Sequence, residues 1–190
     1  MRLFIIRHGT ILPRHGLLGQ QDWPLAEQGR KEMTLLAQNI EAGLWESMTA
    51  IVSSDLTRCV ESAKILQRFA PKELPLFLEP GFREINLGSF EGLQRHNLPK
   101  YVQGTYRMRG LFFESFVPPN GESVRMAKRR VFFTLKKWLK RTPSFCLLTH
   151  AGVMRILIAH ELALPLNNFL QIPLTYSATW YINNEKGISF

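Results

Sequence analysis

Apolar residues along the chain follow two alternating periods. Residues 3–6, LFII, form an unbroken apolar run of the kind a strand shows when both faces are buried. Similar short runs recur in AIVSSD (50–55), PLFLEP (75–80) and SFCLLTH (144–150), and TWYIN (179–183) with GISF (187–190) are candidates to complete a sheet. Between them the period lengthens to that of a helix. The stretch 26–45 sets Met33, Leu36, Ala37, Ile40 and Leu44 on one stripe. The stretch 55–69 opens on a capping signal at Asp55 and turns Leu56, Cys59, Val60, Ala63 and Leu66 inward. Helical spacing returns in Val124, Ala127, Val131, Leu135, Trp138 and Leu139, and a last helix over 151–162 follows the fourth strand directly. Strands alternating with helices predict a three-layer α/β/α fold with a mainly parallel central sheet. The stretch 92–121, rich in Tyr, Arg and Phe, breaks the alternation and reads as a lid-like insertion over the sheet of a single domain, 1–190.

Composition narrows the class. A chain of 190 residues, 45% hydrophobic and 21% charged, suits a globular domain that buries roughly 70% of its unfolded surface. No window offers the ~18 consecutive apolar residues of a membrane span, and Arg7 and His8 interrupt the first apolar run too early for a signal peptide, so the expectation is a cytoplasmic protein that does not engage a membrane. Cys59 and Cys146 belong to no CxxC pair and read as buried thiols. The net charge of +9 favours anionic company. Its densest stretch, RMAKRRVFFTLKKWLKR, has helical spacing, which places most of that charge on a solvated helix face and makes nucleic acid an unlikely partner.

In open α/β sheets ligands bind beyond the carboxyl ends of the strands. Arg7 and His8 leave the first strand there, Ser53, Ser54, Asp55 and Arg58 the second, Arg83 and Glu84 the third, and Thr149 and His150 the fourth. Each alone has an ordinary structural explanation; their conjunction at one edge points to a site for an anion.

The segments RHG (7–9), SSDLTR (53–58), FREINLGSFEG (82–92), PNGES (119–123) and LTHAGVMR (148–155), with GQQDWPLAEQGR (19–30), resemble the histidine phosphatase superfamily, to which the cofactor-dependent phosphoglycerate mutases belong. The resemblance implies a phosphoglycerate mutase-like fold and transfer of a phosphoryl group through phosphohistidine; the candidates contain no HxxxH, no paired carboxylates at ligand spacing and no Cys/His cluster, so no metal and no cofactor is expected. It implies that His8 is the nucleophile, with Gly9 beside it holding the ring. Arg7 and Arg58 would grip the phosphoryl oxygens, since a guanidinium fork matches two of them at once. His150 would donate a further hydrogen bond, and Glu84 would protonate the leaving oxygen.

Thr10, Gln20 and Ser123 are candidates for the pocket rim. Thr10 stands where many relatives carry Glu or Gln, and the mutases' asparagine is absent from ILPRHGLLGQ (11–20), so Arg14 or Gln20 would have to fill in. His15 and His96 read as loop residues and His160 as a helix residue. Tyr101, Tyr106, Arg107, Arg109 and Phe112 in the insertion would suit an aromatic or anionic group. Size and the GQQDWPL segment are similar to the small α-ribazole phosphatase branch of cobalamin biosynthesis, making α-ribazole 5'-phosphate the specific candidate among small phosphorylated metabolites. Phosphoglycerate mutase activity and a non-catalytic phospholigand or nucleic-acid binding module are the rival readings, and a homodimer is the protein partnership left open.

Overall fold

The computed structural model of the chain describes residues 2–12, 16–94 and 99–183. Arg14, His15, His96, the strand candidate 187–190 and the side chains of Tyr101 and Arg109 lie outside the described residues.

Five strands, β1 (Arg2–Arg7), β2 (Ile51–Ser53), β3 (Leu76–Leu78), β4 (Ser144–Thr149) and β5 (Thr179–Asn183), form one sheet in the order β3-β2-β4-β1-β5. Four run parallel, and β5 pairs antiparallel with β1 at the edge. The strands at the centre are apolar on both faces because both are covered. Leu3 and Ile5 of β1, with Phe145 and Leu147 of β4, meet α5 (Val124–Arg141) and α6 (Ala151–Glu161). Phe4, Ile6, Cys146 and Leu148 point the other way, toward α1 (Glu27–Gln38), α2 (Ala42–Ser47) and α3 (Thr57–Phe69). This period of two against two helical layers is the three-layer α/β/α fold of the sequence reading. Both cysteines are buried free thiols. No helix among the described residues is long and apolar enough to cross a membrane.

Two local readings need correction. The stretch 26–45 is two helices, broken at Asn39, whose side-chain amide donates to the Leu35 carbonyl at 2.7 Å. That satisfies one of the carbonyls a helix end leaves free, and the new axis of α2 turns Trp45 into the core. The capping signal at Asp55 is not used as a cap: α3 begins at Thr57 after Leu56, with no cap from its own N-cap side chain. Asp22, from the distant loop after Gly19, instead accepts from the Thr57 N–H and hydroxyl, both at 2.7 Å.

The stretch 92–121 contains α4 (Lys100–Leu111). Val102 of α4 packs with Leu17 and Phe90 in a small cluster joined at its margin by Tyr106 and Phe116. The helix therefore leans on the loop around Leu17.

Where β1 runs into α1 the backbones touch. A Cβ on Gly29 would lie 2.0 Å from the Thr10 carbonyl oxygen, and one on Gly9 would lie 2.5 Å from that of Gly29. Gly29→Ala should therefore destabilise the fold by about 2 kcal/mol despite alanine's better helix propensity, whereas Gly104→Ala on the open face of α4, with nothing within 4 Å of the new methyl group, should stabilise it by up to about 1 kcal/mol. Urea denaturation midpoints at equal m-value check both signs.

Candidate active site

A cavity of about 490 Å³ opens at the carboxyl ends of the parallel strands, lined by Arg7, His8, Arg58, Glu84 and Arg155 together with the first residues of α6. Its position follows from sheet register. β1 and β4 pair up to Arg7 opposite Thr149, and the His8 N–H donates to the Thr149 carbonyl at 3.1 Å, so the next residue on each strand is a histidine. The two imidazoles meet edge to face with centroids 5.2 Å apart. β2 ends one strand over, and the Ser54 N–H donates to the Leu148 carbonyl.

His8 is buried, and its Nδ1 lies 2.8 Å from the Gly9 carbonyl oxygen. A carbonyl only accepts, so Nδ1 carries the proton and the Nε2 lone pair is left for chemistry. Burial, then the nearby Arg58 guanidinium, push His8 well below the usual imidazole range, and the same two causes act on His150. Both rings are neutral at physiological pH. Gly9 contributes its carbonyl to the ring and does not itself line the cavity.

Arg58, 1% exposed, spends three of its five N–H donors: Nε on His150 Nδ1 at 3.2 Å, and the terminal nitrogens on the carbonyls of Gln21 at 2.7 Å and Gly19 at 3.0 Å. Two N–H groups remain. Arg7 donates to the Leu174 carbonyl at 2.7 Å and lies 4.1 Å over the Tyr176 ring, while its buried Nε has no hydrogen-bond partner among the described residues. An orphaned buried donor costs free energy until something accepts from it, and an oxyanion in this cavity would. Burial pulls Arg7 below the usual guanidinium range.

Glu84 is held by two backbone donors, Ile85 N–H at 2.8 Å and Gly152 N–H at 3.1 Å. Its carboxyl group thus sits at the amino end of α6. A Cβ on Gly152 would come 2.3 Å from Glu84 Oε1, so only glycine leaves the carboxylate this seat.

The structure brings Arg7, His8, Arg58 and Glu84 to one cavity and sets His150 directly behind them. His150 differs from the expectation of a direct donor to the anion: Nδ1 accepts from Arg58 and Nε2, left with the proton, donates to Ser54 Oγ at 2.8 Å. In this arrangement it orients Arg58. Three rim candidates also face elsewhere. Thr10 binds the Glu32 carboxylate through both its N–H and hydroxyl. Ser123 caps α5 by accepting from the Met126 N–H at 3.1 Å. Gln20 donates from Nε2 to the Glu84 carbonyl at 2.9 Å, supporting the loop behind the acid.

The sequence reading assigned no role to Arg155, Tyr176 or Asp22. Arg155 closes the cavity beyond Glu84, fixed by Nε on the Ile172 carbonyl at 2.9 Å; it lies one helical turn past His150 within the quoted LTHAGVMR motif, which was the available signal. Tyr176 belongs to no quoted motif. Among the described residues no group of three or more His, Cys, Asp and Glu side chains could hold a metal ion.

The fold is that of one superfamily of enzymes acting on phosphorylated substrates. The family model of the histidine phosphatase superfamily (branch 1) matches residues 3–187, and the chain belongs to that superfamily. Its members are phosphatases or mutases acting on small phosphorylated substrates. The chain is 29% identical over 166 residues to the "Probable phosphoglycerate mutase GpmB" of Yersinia pestis, covering 86% of this chain and 71% of that protein. Among solved structures, Bacillus stearothermophilus YhfR superposes with a TM-score of 0.83 at 25% identity, covering 98% and 92% of the two chains. A mycobacterial glucosyl-3-phosphoglycerate phosphatase, solved with VO3, gives 0.76 at 25% identity over 96% and 92%. The α-ribazole phosphatase of Shigella flexneri, 19% identical over 98% and 92% of the chains, shares the fold with a TM-score of 0.80.

Two histidines buried as neutral rings make stability pH-dependent. Their folded pKa values are depressed below the 6.5 of a free imidazole, so as pH falls through 6.5 the unfolded chain takes up protons that the folded one refuses. Their contribution is fully present above that value and is lost below it, at up to about 2.7 kcal/mol per pH unit for two protons. Urea midpoints measured from pH 7.5 to 5 should fall, and should fall less in His8→Asn than in the parent chain.

Proposed function

We propose that this protein hydrolyses phosphate monoesters through a phosphohistidine on His8. The observation that carries the reading is the Nδ1 contact to the Gly9 carbonyl, which fixes a neutral ring with its Nε2 lone pair available, in a cavity where Arg7 Nε and two N–H groups of Arg58 await an oxyanion. In the first step Nε2 bonds to phosphorus while the ester P–O bond breaks and Glu84 gives its proton to the leaving alkoxide. Charge spread over the three non-bridging oxygens is held by the two guanidiniums and the amino end of α6. In the second step the Glu84 carboxylate takes a proton from water, whose oxygen bonds to phosphorus as the P–N bond breaks, releasing phosphate and neutral His8. His150 acts through Arg58.

The rest of the cavity describes the alcohol. Its walls mix apolar side chains, those of Leu17, Ile85, Leu87, Phe169 and Leu170, with the polar ones of Gln94, Arg155 and Tyr176. Such a wall suits an alcohol that carries both an apolar ring face and a few hydrogen-bonding groups. An aromatic nucleoside such as the α-ribazole half of α-ribazole 5'-phosphate meets that description. α4 would cover this half of the cavity through Leu17, acting as its lid.

One observation favours a second reading. Arg155 is a third guanidinium beside Glu84, on the side where the alcohol leaves, and it could hold the carboxylate of a phosphoglycerate while the phosphoryl group returns to it, as in a mutase.

Rapid-quench reaction with a radiolabelled aryl phosphate should trap an acid-labile, base-stable label on the parent chain and none on His8→Ala, and should release free phosphate. Retention of label by His8→Ala would refute the nucleophile, and isomerisation of phosphoglycerate without phosphate release would select the mutase. Glu84→Gln should slow alkyl esters at least about a hundredfold while activated aryl esters lose little in the first step. Gly152→Ala, which pushes Glu84 from its seat, should reproduce that pattern in a chain that still folds.

A further inference from the structure

Away from the cavity, the outward face of α5 combines two properties that an ordinary solvated helix avoids. Its eighteen residues include eight Lys or Arg and no Asp or Glu. Arg125 with Arg129, Lys136 with Lys140 and Lys137 with Arg141 are like charges four residues apart, each pair destabilising the helix that carries it. Glu114, Glu122 and Glu79 neutralise Arg125, Arg130 and Lys137 from neighbouring elements, but among the described residues no carboxylate lies within ion-pairing distance of Arg129 or Lys140. The same face is also apolar. Phe133 stands 76% exposed between those two cations, and Met126 is 46% exposed one turn before Arg129 and Arg130. At the amino end, Arg125 is bound by both the main-chain carbonyl and the carboxylate of Glu114, close in sequence to Leu111 and Phe112, which are 75% and 54% exposed.

We propose that this face binds the surface of an anionic phospholipid bilayer, with α5 lying along the headgroups. The Arg and Lys side chains would meet lipid phosphates and Phe133 would enter the acyl boundary. Cations alone would serve nucleic acid equally well. A nucleic-acid backbone, however, would be met by the cations alone and would leave Met126 and Phe133 in water. A bilayer satisfies both the charge and the apolar area. The proposal requires only a helix with one suitable face, which agrees with the absence of a membrane-crossing helix among the described residues, and it stands independently of the reaction at His8.

The test is sedimentation of the full chain with vesicles of phosphatidylcholine alone and with about a third phosphatidylserine. The chain should pellet with the anionic vesicles only, and less as ionic strength rises. The double variant Arg129→Glu, Lys140→Glu should bind at least about thirtyfold more weakly, and Phe133→Ser about tenfold, while both turn over a soluble aryl phosphate at the parent rate. Phe133→Trp should show a blue-shifted emission on adding anionic vesicles. Equal binding to neutral and anionic vesicles, binding to neither, indifference to the double variant, or an unshifted Phe133→Trp spectrum would each overturn the proposal. Capture of a single-stranded RNA oligonucleotide without vesicle binding would do so as well, and would assign the face to nucleic acid.

Discussion

The pairing of β1 with β4 is the constraint on which the site depends. Residues 8 and 150 are far apart in the chain, and nothing local tells either where to stand. Both strands are buried on both faces, so Leu3, Ile5, Phe145 and Leu147 must share one core and Phe4, Ile6, Cys146 and Leu148 the other. A slip of one residue would exchange the two sets and is excluded by packing alone. With the register fixed, Arg7 lies opposite Thr149 and the two histidines that follow are neighbours. The apolar alternation of the core thus sets the geometry of the polar edge. Side chains mounted on strand ends inherit the stiffness of the sheet, which suits the proposed role of His8 as a nucleophile meeting phosphorus in line.

Placing imidazoles and guanidiniums together has an electrostatic cost, and the protein distributes it unevenly. Both histidines give up their charge: burial and the Arg58 guanidinium keep them neutral. The arginines cannot do the same, because a guanidinium stays protonated at any working pH. The cavity is therefore prepared for the charge of the ligand, with donors already oriented and no reorganisation left for the moment of reaction. Neutral His8 and charged Arg58 are consequences of one arrangement, since burial first and then the Arg58 cation keep the nearby ring unprotonated.

Much of this was legible in the residues. The LFII run ending in Arg7 and His8, the strand-helix alternation and the ordered motifs gave the fold class and four of the cavity's polar side chains. What escaped the sequence was contact at a distance. Ser123 and Thr10 carry hydroxyls in suggestive motifs, yet one caps its own helix and the other binds Glu32, and spacing does not distinguish a hydroxyl facing a ligand from one facing its own backbone or a neighbouring helix. The break at Asn39 was hidden because an apolar stripe continues through it, as Ile40 and Leu44 still pack on the core after the axis turns. Asp22 was invisible as a cap because it reaches α3 from 35 residues away.

The least legible feature is what separates the arginines of the site from the others. Arg30, Arg83 and Arg130 are held by carboxylates, those of Glu61, Asp55 and Glu122. Arg7, Arg58 and Arg155 are held by main-chain carbonyls, those of Leu174, of Gly19 and Gln21, and of Ile172. A carboxylate orients a guanidinium and cancels its charge; a carbonyl orients it and leaves most of the charge in place. Loops supply the second kind of partner, so the irregular segments around residues 19–21 and 172–174 are needed for a binding edge whose cations are fixed but not neutralised. The loop after Gly19 does more than hold Arg58. Asp22 ties it to the first turn of α3, from which Arg58 projects, and Gln20 donates to the Glu84 carbonyl. Arg58 and Glu84, the proposed phosphoryl grip and the proposed acid, are thereby referenced to the same few atoms of backbone, so that a ligand drawing on Arg58 meets Glu84 at a distance the fold has already set.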